Sequence, residues 1–148
     1  VDYTHPPSVG AVFADVSGTY ALERKSEAPG AGETDLLEAN VSRLQLSASA
    51  GANYGHFTGT ATLNYSAGYD LTGAGSQTHV DSFHPVNLAL VYNFDGQSWS
   101  KDLTVSLNVD NVFDEKAQFI NIAPSAFGAS SNGFTLVRFV NAGLRKHF

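Results

Sequence analysis

Cysteine is absent from the chain, so it holds no disulfide and no thiolate metal site, a condition that fits many compartments and selects none. Methionine is absent too, and no basic segment followed by an apolar one opens the chain at Val1; the expectation is a mature product or a piece of something longer. Charge is scarce, at 15% of residues against the ~25% usual for soluble domains. Positive charge is scarcer still. Eight Lys and Arg are scattered through a chain of net charge −6, which argues against a nucleic-acid binder, since that function needs a basic footprint. Long hydrophobic runs are also missing. Nothing approaches the ~20 consecutive apolar residues of a membrane-spanning helix, so a helical membrane protein is excluded.

In place of charge, Ser, Thr, Asn and Gly are interleaved with aliphatic and aromatic residues over a length of 148, enough for one ordinary domain. "LTVSLNVDNVF", residues 103–113, shows the pattern: Leu103, Val105, Leu107 and Val109 alternate with Thr104, Ser106, Asn108 and Asp110. That is the period of a strand with two unlike faces. Similar alternation predicts strands at 12–22, 43–54, 57–69, 86–94 and 135–148, about six in all, arranged as an all-β antiparallel up-and-down meander. Gly55 and His56 alone separate the second strand from the third, which reads as a tight hairpin. The other connections are longer: an acidic stretch at 23–40, Gly-rich residues 70–84, a shorter turn at 95–101 and the longest at 114–133.

The connections therefore run long, short, long, medium-short, long, and all the long ones fall at one end of the meander. Outer-membrane barrels have this asymmetry, with short periplasmic turns and longer extracellular loops. Tyr20, Tyr54, Phe57, Tyr65, Tyr69, Tyr92, Phe94 and Phe148 fall on the apolar side of their strands, most of them near strand ends, where interfacial girdles place aromatics. On this reading Leu63, Leu88, Leu90, Leu103, Val105, Leu107 and Val109 face lipid. Thr60, Asn64, Asn87, Asn93, Ser106 and Asn108 face a lumen, with Gln45, Ser47, Thr58 and Asp110 beside them. Six strands cannot close a membrane barrel, because an open sheet in lipid leaves two rows of backbone groups unsatisfied. The expectation is thus the C-terminal part of a larger barrel.

Other constellations carry less. Asp70, His79, Asp81 and His84 gather in one connection, but without tight metal-ligand spacing, and the expectation is solvated loop polarity. The acidic residues Glu23, Glu27, Glu33, Asp35 and Glu38 read as a soluble charged loop. "GAG" at 73–75 lacks the helix and spacing of a dinucleotide site, and no Gly-x-Ser-x-Gly elbow, paired-His metal motif or P-loop occurs. No enzyme activity, cofactor or metal is expected.

"LTVSLNVDNVFDE" and the terminal "VNAGLRKHF" together resemble the C-terminal end of TonB-dependent outer-membrane receptors. The first is similar to the family's penultimate strand, with its Asn-aliphatic-Phe-Asp ending at Asn111, Val112, Phe113 and Asp114. "FINIAPSAFGASSNGF" looks like the family's last extracellular loop, and "HFTGTATLNYSAGYD" with "VDSFHPVNLALVYNF" like the preceding hairpin strands. The likeness is strongest from residue 80 onward and weakest over 1–42. It implies a plugged barrel of 22 strands in the outer membrane of a Gram-negative bacterium, of which residues 1–148 would be the last six or so strands, importing a scarce ligand such as a ferric siderophore, a cobalamin or a glycan. It further implies that Phe148, with Leu144, Ala142 and Val140 alternating back from it, is the signal read by the barrel-assembly machinery; Lys146 stands where an aromatic or aliphatic is commoner. The partners implied are outer-membrane lipid, the receptor's own N-terminal barrel and plug, and the TonB complex, which would act on that N-terminal region, outside this chain. The competing expectation is a soluble β-sandwich binding module of lectin or adhesin type, its apolar faces packed on each other. A third is a small standalone barrel, or one assembled from several copies of the chain.

Overall fold

A computed structural model describes residues 10–23, 25–26, 30, 34–35, 41–71, 77–96, 98–122, 126–129 and 137–147. In chain order the strands are β1 Ala11–Tyr20, β2 Lys25–Ser26, β3 Thr34–Asp35, β4 Leu44–Tyr54, β5 Phe57–Ser66, β6 Tyr69–Asp70, β7 His79–Val80, β8 Val86–Phe94, β9 Leu103–Asp110, β10 Phe119–Ile122, β11 Ala126–Ala129 and β12 Phe139–Lys146. A short 3₁₀ turn, Ser98–Ser100, precedes β9, and the described residues contain no α-helix.

The six long strands form one antiparallel sheet in the order β1-β4-β5-β8-β9-β12, so each long strand pairs with the next long strand of the sequence. This is the up-and-down meander expected. The remaining strands pair locally, β2 with β3, β6 with β7 and β10 with β11, inside three connections that the sequence pattern presented as loops. Strands of two to four residues are too short to show a clear period, which is why alternation missed them.

Several strands are shorter than expected, and for β1, β5 and β9 a local reason is visible. β1 ends at Tyr20 instead of Leu22, its pairing closing with Ala21 N–H donating to Arg43 O at 2.9 Å. β5 ends at Ser66, three residues short of Tyr69. Beyond it the backbone passes so close to the neighbouring connection that a Cβ on Gly68 would sit 2.6 Å from the Val80 carbonyl oxygen. β9 stops at Asp110, short of the expected Phe113, because Asn111, out of phase with the alternation before it, takes a positive φ of 52°. β12 is described from Phe139; residues 135–136 and Phe148 of the expected last strand lie outside the described residues.

The expected two-residue hairpin is present. Tyr54 pairs with Phe57, and Gly55, first of the two central residues, has φ 55°, the place where a primed hairpin turn requires glycine. At the same end His56 Nε2 lies 3.1 Å from Asp95 Oδ2, and Asn93 N–H donates to His56 O at 2.9 Å, tying this turn to the start of the β8–β9 connection.

Burial lies mostly at the other end, with Leu103 by the short turns the exception. Among the described residues the buried apolar side chains are Tyr69, Leu71, Val80, Phe83 and Leu103, and Val80 alone of the large ones is sealed, at 0% exposure. Tyr69, Leu71 and Val80 form a knot, with Ile120 packed on it. Tyr69 therefore belongs to this knot and not to the exposed apolar face of the sheet, as its phase with Tyr65 had suggested.

Candidate functional site

Cross-strand register decides which side chains share a face, since directly paired residues point the same way. Pairing runs in register from one edge of the sheet to the other: Val12, Ala52, Gly59, Leu90, Leu107 and Ala142 form one row, and Ala14, Ala50, Ala61, Leu88, Val109 and Val140 the next row on the same face. Toward the long connections follow Val16, Ala48, Leu63 and Val86, then Gly18, Leu46 and Tyr65. Toward the short turns follow Tyr54, Phe57, Tyr92, Val105 and Leu144, then Phe94, Leu103 and Lys146. Lys146, at the extreme end, is the sole charged side chain among these rows; its Nζ donates to Trp99 O at 2.6 Å.

Leu63, Leu88, Leu90, Leu103, Val105, Leu107 and Val109 thus share one face, with Val140, Ala142 and Leu144 beside them. Phe148, the fourth residue of that last alternation, lies outside the described residues. On this face Val12, Val16, Tyr20, Leu46, Tyr54, Phe57, Leu63, Tyr92, Phe94, Val105, Leu107, Val140 and Leu144 are all exposed. Leu103 differs from its neighbours at 6% exposure. Among the described residues no second sheet lies over this surface, which is far more apolar than the scattered single hydrophobics of an ordinary protein exterior.

Aromatic side chains bound the apolar field at both ends. Tyr54, Phe57, Tyr92 and Phe94 cluster by the short turns, the Tyr92 and Phe94 rings edge to face at 4.6 Å, and Tyr20 and Tyr65 lie toward the long connections. From Phe57 to Tyr65 the strand covers roughly 26 Å at ~3.3 Å per residue. Between those limits the rows contain only Ala, Val, Leu and Gly.

The opposite face carries Thr60, Asn64, Asn87, Asn93, Ser106 and Asn108, together with Gln45, Ser47, Thr58 and Asp110. It divides into two regions. Over β4 and β5, paired side chains satisfy each other: Asn53 with Thr58 at 2.7 Å, Ser49 with Thr62 at 2.9 Å and Ser47 with Asn64 at 3.1 Å. Among the described residues one such pair occurs over β8, β9 and β12, Thr104 with Asn93 at 2.8 Å, near the short turns. Higher up, a depression of about 400 Å³ is lined by Thr60, Thr62, Asn87, Asn108, Asp110, Phe139 and Asn141.

Above the sheet, the second and last long connections are bound to each other. Asn111, 5% exposed, receives the strand end: its N–H donates to Asn87 Oδ1 at 2.9 Å, its Nδ2 donates to Glu115 O at 2.7 Å, and its Oδ1 accepts from Glu115 N–H at 2.9 Å. The Glu115 carboxylate accepts from His84 N–H at 3.0 and 3.2 Å and lies 3.1 Å from His84 Nδ1. Gln77 Nε2 donates to Phe119 O at 3.1 Å. The Asn-Val-Phe-Asp stretch is therefore a turn that clamps two connections, with Asp114 also at positive φ (57°) and accepting from Arg138 N–H at 2.9 Å.

Of the four polar groups gathered by sequence, Asp70 Oδ1 lies 2.8 Å from His79 Nδ1 and Asp81 Oδ1 3.9 Å from His79 Nε2, while His84 turns to Glu115. Among the described residues no three His, Asp or Glu side chains are grouped to hold a metal. Of the acidic connection, Glu23 is described and forms an ion pair with Lys25; Glu27, Glu33 and Glu38 lie outside the described residues. The "GAG" turn at 73–75 lies outside them as well. The aromatic Phe139 and its neighbour Asn141 were not distinguished by sequence. Their signal is phase: they fall opposite Val140, Ala142 and Leu144 on the last strand. Comparison of the chain with protein-family models, with curated proteins and with solved structures finds no match.

Proposed function

We propose that this chain is part of the wall of a transmembrane β-barrel of about 22 strands, of the TonB-dependent receptor type, in the outer membrane of a Gram-negative bacterium. One observation carries this reading: a six-stranded sheet whose register assembles an exposed, charge-poor apolar field bounded by aromatic rings on one face and an amide- and hydroxyl-rich surface on the other. In water each of those Leu or Val side chains forgoes about 1.5–3 kcal/mol of burial, whereas in a bilayer the lipid supplies it. Allowing for strand tilt and the width of the rings, the field matches the ~25 Å apolar band of such barrels.

The polar face then lines a lumen holding a plug and water, and the long connections stand at the cell exterior. β1 and β12, each with one edge unpaired among the described residues, continue into further strands of the same barrel, because lipid offers those donors and acceptors nothing. The barrel imports a scarce solute, with energy delivered from the inner membrane through the TonB complex to the receptor's N-terminal part. This role requires no catalytic group. The test is the mass of the polypeptide in native cells, with outer-membrane and soluble fractions measured separately. A heat-modifiable outer-membrane species several times heavier than 15.7 kDa is expected. A stable soluble species at 15.7 kDa overturns the proposal in favour of a soluble binding module.

A further inference from the structure

On the polar face, Asp110 pairs directly with Phe139 and Asn108 with Asn141, so these four side chains form a two-by-two block on the upper halves of β9 and β12, with Thr60 beyond the small Ala89. Over β4 and β5 the polar groups of three cross-strand pairs on this face bond to each other. Here they do not: among the described residues the side chains of Thr60, Asn108, Asp110 and Asn141 take part in no hydrogen bond or ion pair. Phe139 is 49% exposed, and it is the one large apolar side chain on this face of the sheet that is exposed.

We infer that this block, in the depression of about 400 Å³, is a binding subsite for an uncharged pyranose unit of an oligosaccharide; the inference rests on the barrel reading and adds the class of solute to it. Asparagine amides offer a donor and an acceptor side by side, the carboxylate accepts twice and a threonine hydroxyl does both, a set that suits adjacent sugar hydroxyls. The face of the Phe139 ring suits the C–H face of a pyranose, which is apolar although its rim is not. An anionic solute meets the Asp110 carboxylate with no cationic side chain lining the depression, and an apolar solute would leave the Asn108, Asp110 and Asn141 side chains without partners.

The test uses the full-length protein, solubilised from its native membrane in detergent and titrated calorimetrically with hexasaccharides of glucose, mannose and xylose. At least one is expected to bind. Phe139→Leu and Asn141→Ala should each weaken it about tenfold or more, Phe139→Tyr should retain it, and Ser47→Ala, whose partner Asn64 lies outside the depression, should leave it unchanged. Heat-modifiable gel mobility shows whether each variant is a folded barrel. Folded protein that binds none of the three sugars, or binds one equally well as Phe139→Leu and Asn141→Ala, overturns the subsite while leaving the barrel reading intact. Variants that lose thermal stability but not sugar affinity also overturn it, assigning the block to contact with another part of the receptor. A soluble, non-heat-modifiable protein overturns the barrel reading itself.

Discussion

The sheet and the connections above it solve the same problem in opposite ways. In the connections, Tyr69, Leu71 and Val80 close on one another with Ile120, and every polar atom of Asn111 that can bond does so, so this region brings its own interior. The sheet has regular pairing over all six strands yet leaves Val12, Val16, Leu46, Leu63, Val105, Leu107, Val140 and Leu144 exposed. Backbone order and apolar burial are usually gained together in a soluble domain. Here they are separated in space, and on the proposed barrel reading lipid supplies the burial.

That contrast can be broken most strongly at the middle of the apolar face. Leu107→Arg in the full-length protein should destabilise it in lipid vesicles by roughly 2–4 kcal/mol, while Ser106→Arg, one residue away on the opposite face, should cost much less. Equal losses in denaturant titrations would show that the two faces do not meet different media.

On the other side of the comparison, Asn111→Ala removes two side-chain hydrogen bonds and places alanine at φ 52°, for an expected cost of about 2–3 kcal/mol. Hydrogen exchange should locate the loss in residues 84–87 and 111–115, and Asn111→Gly should recover only the backbone share. Val80→Ala should open the knot by about 1.5–2 kcal/mol, with faster exchange at 69–71 and 79–80 and unchanged exchange in β9. If sheet amides respond equally, the two regions fold as one unit. The smallest effect belongs to the polar face: a double-mutant cycle on Ser49→Ala and Thr62→Ala should yield a coupling of about 0.5–1 kcal/mol.

The two faces were legible in the sequence because a strand period of two requires no knowledge of the neighbours. The pattern from Leu103 to Val109 gave the side on which each residue lies, and Gly55-His56 gave the hairpin. The clamp around Asn111 was legible only as the place where the alternation breaks, Asn111 standing where an apolar residue is due and Val112 where a polar one is; the reversal of the backbone through a positive φ is not written in that pattern. Tyr69 was misplaced for a related reason, being in phase with Tyr65 but past the point where the chain leaves the sheet. The proposed subsite lay further from view. Asp110 with Phe139 and Asn108 with Asn141 are juxtaposed across the longest connection, and only the register of β9 against β12 brings them together.

The plain nearest-neighbour order of the sheet also has a kinetic meaning. Each pairing joins strands consecutive along the chain, and the cost of closing a connection grows only by about 0.6 kcal/mol for each doubling of its length. Residues 55–56 make the β4–β5 hairpin the quickest to close, with the β8–β9 hairpin next across 95–102 and the pairings across 67–85, 21–43 and 111–138 following. Assembly can therefore advance as a zipper from two seeds, each new strand presenting the template for the next, with β9 receiving β12 across the longest span of all.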